Sequence, residues 1–300
     1  MKRWKMRVPG STANLGTGFD SIGLAIDRYL TLDIHWANDW NFSYVTPGHE
    51  MLPNGKANLI YKTLVYTLNH WDVEADDRAC HVTIESELPL ARGLGSSAAA
   101  IVAGIELANI LYELRLTSEE KVRVASLLEG HPDNAAASVY GGLTIGTHDD
   151  TETVVLPCGS IDVDLICVVP DEQLLTEASR QVLPEYMNFR KAIKGSSLAN
   201  VMVAALLRGD YEKAGEMMIR DVFHQPYRHS LVPHLLPLIE FASERHIYGV
   251  ALSGAGPAVM CYVKKGTGPA ILSDLQHAFN RYEMELLQID REGVMVERIE

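Results

Sequence analysis

The sequence predicts an α+β fold in two domains, an N-terminal mixed α/β unit and a C-terminal unit of the ferredoxin-like, split βαβ kind. Three observations predict it. The chain has 300 residues, more than a single hydrophobic core usually serves. In its first half an alternating run leads through a glycine- and serine-rich loop into a long apolar helix. In its second half a mainly helical stretch precedes strand, glycine turn, strand, helix and closing strand. The boundary falls near Pro157–Ile161, giving units 1–158 and 159–300.

The elements follow in order. "MRVPGSTANLGTGFDSIGLAI" reads as a short strand, a loop and a semi-buried stretch, because Pro9, Gly10, Asn14, Gly16 and Gly18 favour loops. "YLTLDIHW" alternates as a strand does. Leu59, Ile60, Leu64, Val65 and Leu68 recur at helical spacing. "CHVTIESEL" alternates through Val82 and Ile84 as a half-exposed strand. "SSAAAIVAGIELANILYEL" is a helix whose small first residues permit close packing. Thr117 and Glu120 form a capping box that opens the next helix. "HPDNAAASVYGGLTIG" reads as turn, short helix and strand, and "VDLICVVP" as a buried strand. Helices are expected over 177–194, 197–208, 211–219 and 232–245. "YGVALSGAGPAVMCYV" is strand, turn, strand; "GPAILSDLQHAF" is a helix and "GVMVERIE" the last strand.

Composition excludes several function classes. The net charge of −13 argues against nucleic-acid or anionic-membrane binding, though not against a local site for an anionic substrate. No apolar run reaches spanning length, and no apolar segment follows the basic start, so no signal peptide is expected. Cys80, Cys158, Cys167 and Cys261 lie far apart, which suits reduced thiols and a cytoplasmic location better than structural zinc.

The stretch "PLARGLGSSAAA" carries the chemistry. Helix N-termini hold N–H donors without partners and a partial positive charge. A loop of small residues lets an anion reach them. Gly93 and Gly95 can take backbone angles closed to other residues, and Ser96 and Ser97 add hydroxyls. A capped glycine turn would use the same residue types. A Walker A loop needs lysine after its second glycine, where Ser96 stands. The Rossmann pattern Gly93-x-Gly95-x-x-Ala98 should follow its strand directly, but "ELPLAR" intervenes.

Pro89, Leu90, Ala91, Arg92, Gly93, Leu94, Gly95, Ser96, Ser97, Ala98 and Ala99 together resemble the ATP-binding second motif of the GHMP kinase superfamily. "LSGAGPAV", Leu252–Val259, resembles its third motif. "VPGSTANLGTGFDSIGLAI" and "EGHPDNAAASVYGG" are similar to the forms homoserine kinases carry. The four motifs stand in order over nearly the whole chain. Gly10 stands where alanine is common, and Thr17 where proline is common.

The resemblance implies a two-domain GHMP kinase fold with the site in the cleft between domains. ATP and Mg²⁺ are the implied cofactors, L-homoserine the phosphoryl acceptor, and a homodimer the implied assembly. Ser97 and Glu129 are candidates for the metal. Arg180, with Thr176 one turn earlier on a helix start, and Arg228 would meet the substrate carboxylate, for which a planar guanidinium is suited. Asn14 and Asp20 would face the ammonium group, and His131 and Asn134 would complete the pocket. Two catalytic readings stand open. Asp133 takes the alcohol proton, or Asn134 orients the substrate and the proton passes to phosphate. Another GHMP small-molecule kinase of mevalonate or sugar type, and a non-catalytic ligand-binding protein on the same fold, are the alternatives.

Overall fold

Alternating burial of Trp4, Met6 and Val8 marks the inner face of β1 (Arg3–Ala13). The computed structural model describes residues 3–299. β1 is longer than the sequence suggests, because it passes through Pro9 and Gly10 instead of ending there. It pairs antiparallel with β2 (Ile22–Ala37), from Arg3 opposite His35 to Ala13 opposite Gly23. The register jumps where Pro9 faces Tyr29 and Gly10 faces Ile26, so Asp27 and Arg28 of β2 lack β1 partners. Such a bulge lets a strand carry proline without ending the ladder.

β3 (Asn41–Tyr44) lies parallel to β4 (Ala79–Ser86), which pairs antiparallel with β2. β5 (Leu143–His148) pairs with the start of β2, and β6 (Thr153–Pro157) pairs with β5. Neither β3 nor β6 is legible in the sequence, since both are short edge strands. Four helices belong with this sheet: α1 (Leu59–His70), α2 (Ser96–Tyr112), α3 (Ser118–Glu129) and α4 (Asp133–Tyr140). The Thr117–Glu120 capping box forms as expected. Gly104 lets α2 approach α1 closely; a Cβ there would lie 2.6 Å from the Ile60 carbonyl oxygen.

The second sheet starts with β7 (Val163–Val169), buried throughout. Helices α5 (Thr176–Gln181), α6 (Phe189–Arg208), α7 (Tyr211–Met218), α8 (Gln225–Arg228) and α9 (Leu235–Ser243) follow. The expected helix over 177–194 is broken after Gln181, in a segment containing Pro184, and Asn188 caps a fresh start. α6 then runs unbroken through Gly195, where the missing side chain admits the Phe223 ring; a Cβ would lie 2.3 Å from its Cζ. β8 (Ile247–Leu252), β9 (Val259–Lys264), α10 (Gly268–Ala278) and β10 (Glu283–Leu287) complete the unit.

The strand order is β10-β7-β9-β8 with every neighbour antiparallel, which is the ferredoxin-like arrangement. β10 is not legible in the sequence. The closing strand β11 (Met295–Arg298) leaves this sheet and pairs with Trp4–Arg7 of β1, so the first sheet has seven strands. Among the described residues no helix is long and apolar enough to cross a membrane. All four cysteines are unpaired.

Candidate active site

Three segments meet where the two units join. The end of β1, the glycine loop before α2 and the β8–β9 turn are joined by backbone bonds. Ser11 N donates to Leu94 O (3.2 Å), Gly254 N to Ala13 O (3.1 Å) and Ala258 N to Arg92 O (3.1 Å). Around this junction lies a cleft of about 700 Å³, lined from the N-terminal side by Asn14, Asp20 and Asn134 and from the C-terminal side by Thr176, Arg180 and Arg228.

The glycine loop is shaped by close approach. Gly93 and Gly95 have φ of +81° and +74°, the left-handed region. A Cβ on Gly93 would sit 2.3 Å from Ser253 O, and one on Gly95 2.3 Å from Ser11 Oγ. Ser253 Oγ donates to Gly93 O (2.6 Å), fastening the loop to the β8–β9 turn. Gly95 is the N-cap of α2 and offers no side-chain cap. The first-turn amides of a 17-residue helix therefore open on the cleft without side-chain acceptors.

Pro89, Ala91, Arg92, Gly93, Gly95, Ser96, Ser97 and Ala98 line the cleft. Leu94 and Ala99 are buried in the core instead, and Leu90 lines a neighbouring cavity. Two motif residues thus hold the loop from beneath. Gly10 belongs to the same packing, because a Cβ there would lie 2.3 Å from Leu88 Cδ2.

The other part of the cleft is charged. Arg180 grips Asp20 at two points, Nη2 to Oδ1 (2.8 Å) and Nη1 to Oδ2 (3.2 Å). Arg228 is 1% exposed. Its Nε donates to Ser179 O (3.1 Å) and its Nη1 to Gly254 O (3.2 Å). Burial first, and then the neighbouring Arg180 guanidinium, push its pKa down to about 10, so it remains a cation at neutral pH. The Phe19 ring lies beneath both, 5.8 Å from Arg180 Cζ and 5.3 Å from Arg228 Cζ. Asn14, at φ +74°, spends its amide on the frame: Nδ2 donates to Gly254 O and Oδ1 accepts from Asp20 N, both at 2.9 Å.

The start of α4 supplies the third group. His131 Nδ1 donates to Asp133 Oδ1 (2.6 Å), which also accepts from Asn134 N (2.7 Å) and Nδ2 (3.1 Å). Asn134 Oδ1 accepts from Ser11 Oγ (3.0 Å). Burial disfavours a charged His131, but the Asp133 carboxylate outweighs it and raises the imidazole to about 9. His131 is therefore a cation at neutral pH and has no lone pair for a substrate proton. Glu129, the last residue of α3, has a buried Oε2 without a hydrogen-bond partner. Burial raises its carboxyl to about 7, against the pull of His131.

Models of two families match the chain, "GHMP kinases N terminal domain" over residues 58–142 and "GHMP kinases C terminal" over residues 202–281. A homoserine kinase of Halalkalibacterium halodurans is 51% identical over 99% of this chain and 96% of its own. The chain belongs to the homoserine kinase branch of the GHMP kinases. A homoserine kinase of Bacillus licheniformis is 44% identical over 98% of this chain and 96% of its own. The solved homoserine kinase of Cytophaga hutchinsonii superposes with a TM-score of 0.84 at 23% identity, covering 98% of this chain and 97% of that one, so the fold is shared.

Within this kinase two donor sets are candidates for a divalent cation. Side-chain atoms of Asp20, His131 and Asp133 lie within 4.8 Å of one another. That set does not suit Mg²⁺, a hard cation wanting free oxygens. Asp20 is held by Arg180, Asp133 Oδ1 accepts three hydrogen bonds, and His131 carries a proton. Glu129 and Ser97 fit better, since the unpartnered Glu129 Oε2 is an orphan carboxylate oxygen and both residues line the cleft. Phe19 and Ser253 lie within the first and third motifs, but their contacts are not legible in the sequence. An aromatic after a glycine loop and a serine before "GAG" are ordinary residues until the fold brings them to Arg228 and Gly93.

Proposed function

We infer that the protein transfers the γ-phosphoryl group of ATP to the hydroxyl of L-homoserine, giving O-phospho-L-homoserine, the branch step toward threonine. One observation carries the reading: an uncapped helix N-terminus and two arginines share one cleft. The triphosphate lies against the amides at the start of α2, with Ser96 and Ser97 hydroxyls beside it. Glu129 and Ser97 would hold Mg²⁺, which would supply positive charge to the transferring phosphate. The substrate carboxylate meets Arg228 and the outer edge of Arg180, and its ammonium meets Asp20. Thr176, at the start of α5, closes this end of the pocket.

Phosphoryl transfer asks mainly for alignment and charge neutralisation. Protonated His131 contributes charge, and Asp133 holds both His131 and Asn134 in place. Asn134, anchored by Ser11, orients the acceptor hydroxyl, whose proton passes to the phosphate. Asp133 as a general base is the second reading, favoured by its burial at 1% exposure beside the same pocket. The domain division at 158/159 stands as a proposal, with β11 handed back to the first unit.

The test is a substrate panel with ATP and Mg²⁺, read by ADP release and product mass. Homoserine should be the preferred acceptor. Preference for mevalonate or a sugar would overturn the substrate, and absence of Mg²⁺-dependent ADP release with every acceptor would overturn the enzymatic reading.

A further inference from the structure

The buried Arg228 is hydrogen-bonded to two backbone carbonyls and to the side chain of His224. His224 is fully buried, and its Nδ1 lies 3.1 Å from Arg228 Nη1 while its Nε2 lies 2.9 Å from the Gly16 carbonyl. A guanidinium only donates and a carbonyl only accepts. The two contacts therefore select one tautomer, with the proton on Nε2 and the lone pair on Nδ1. Burial, opposed by Asp221 and reinforced by Arg228, pushes the imidazole down to about 4, which agrees with a neutral ring.

The surroundings hold this ring in place. Asp221 Oδ2 accepts from the backbone N–H groups of His224 (3.0 Å) and Gln225 (2.7 Å), and Oδ1 from Phe223 (2.8 Å), fixing the start of α8. The Phe19 ring stacks on the imidazole with centroids 5.1 Å apart and planes 17° apart. His224 thus joins a residue of the C-terminal unit, Arg228, to the loop after β1 that carries Asp20.

We propose that His224 is a positioning residue: its Nδ1 lone pair fixes the Arg228 guanidinium for the substrate carboxylate. This rests on the reading that Arg228 meets the carboxylate of homoserine. With Nε and Nη1 taken by Ser179, Gly254 and His224, Nη2 is left for the carboxylate; its aim depends on a guanidinium held in one orientation, and displacement of about 1 Å is enough to cost roughly 100-fold in some sites.

Two isosteric substitutions separate the contacts. Asn places its terminal atoms where Nδ1 stands, and Gln where Nε2 stands. His224→Asn keeps an acceptor for Arg228 and loses the Gly16 bond. His224→Gln keeps the Gly16 bond and loses the acceptor. Steady-state kinetics of wild type, His224→Asn, His224→Gln and His224→Leu should show KM for homoserine raised about 10-fold, the worth of one hydrogen bond to a charged group, in Gln and Leu. Asn should stay within about 3-fold of wild type, and KM for ATP and kcat should change by less than about 3-fold in all folded variants.

Equal KM values for homoserine in Gln and Asn, or parallel rises in both KM values, would overturn the proposal. A wild-type protein that leaves homoserine unphosphorylated would instead overturn the functional reading. In that case the crystal structure of His224→Gln decides the positioning role: a displaced guanidinium upholds it, and an unmoved Arg228 overturns it.

Discussion

Gly95→Ala tests the nucleotide loop at one atom. Gly95 sits at φ +74°, where an L side chain costs about 1–2 kcal/mol. The new Cβ would lie 2.3 Å from Ser11 Oγ and 2.9 Å from Ser11 N. Relief requires a shift of about 1 Å to reach ordinary contact distance, and the backbone nitrogen cannot rotate away. Strain of this kind adds roughly 1 kcal/mol or more. The total of about 2–3 kcal/mol lowers Tm by about 5 °C in a chain of this size. Moving the loop also spoils the alignment of the α2 amides. One charge-assisted hydrogen bond is worth about 1.5–3 kcal/mol, so KM for ATP should rise at least about 10-fold.

The control is Gly266→Ala. Its φ is +85°, but nothing lies within 4 Å of the added Cβ, so only the backbone cost of about 1 kcal/mol applies and the kinetics stay unchanged. Thermal melts and steady-state kinetics read both variants. A Gly95→Ala protein with wild-type Tm and wild-type KM for ATP would refute the reasoning.

Three further outcomes follow from the site. Glu129→Gln should cut kcat about 100-fold and raise the Mg²⁺ concentration for half-maximal rate at least about 10-fold, while leaving Tm in EDTA unchanged or higher because a buried carboxylate is gone. Mg²⁺ titrations check it, and an unchanged Mg²⁺ dependence would remove Glu129 from the metal. His131 is raised from 6.5 to about 9, so its pairing stabilises fully below pH 6.5 and fades as pH rises through 9. His131→Asn should therefore cost about 2–3 kcal/mol more at pH 6 than at pH 10, measured by denaturant unfolding in EDTA; equal costs would contradict the ion pair. Asp133→Asn should lower kcat about 10-fold by loosening His131, whereas a loss beyond about 1000-fold, with the acid limb of the pH profile abolished, would assign Asp133 as the base.

Local chemistry was the legible part. Gly93 and Gly95 announce a left-handed turn, Ser96 and Ser97 a helix start, and the Thr117–Glu120 box a second one, because each is decided within a few residues. Most of the candidate residues line one cleft. What stayed hidden depends on distant partners. β1 continues past Pro9 only because β2 bulges opposite it. β10 takes shape through pairing with β7, more than a hundred residues upstream. The place of β11 beside β1 joins the two ends of the chain, and no periodicity records it. Asn14 reads as a substrate contact in the motif, while the fold gives its amide to Gly254 and Asp20. His224 stands near Arg228 in the sequence, but its role stays hidden there because its partner Gly16 lies 208 positions away.

A crystal of the protein with an unhydrolysable ATP analogue and L-homoserine tests the account most directly. It should show β- and γ-phosphate oxygens within hydrogen-bond reach of the amides at residues 95–98, and the homoserine carboxylate on Arg228 and Arg180. A triphosphate bound away from the start of α2, or an amino acid turned so that its carboxylate avoids both arginines, would contradict it.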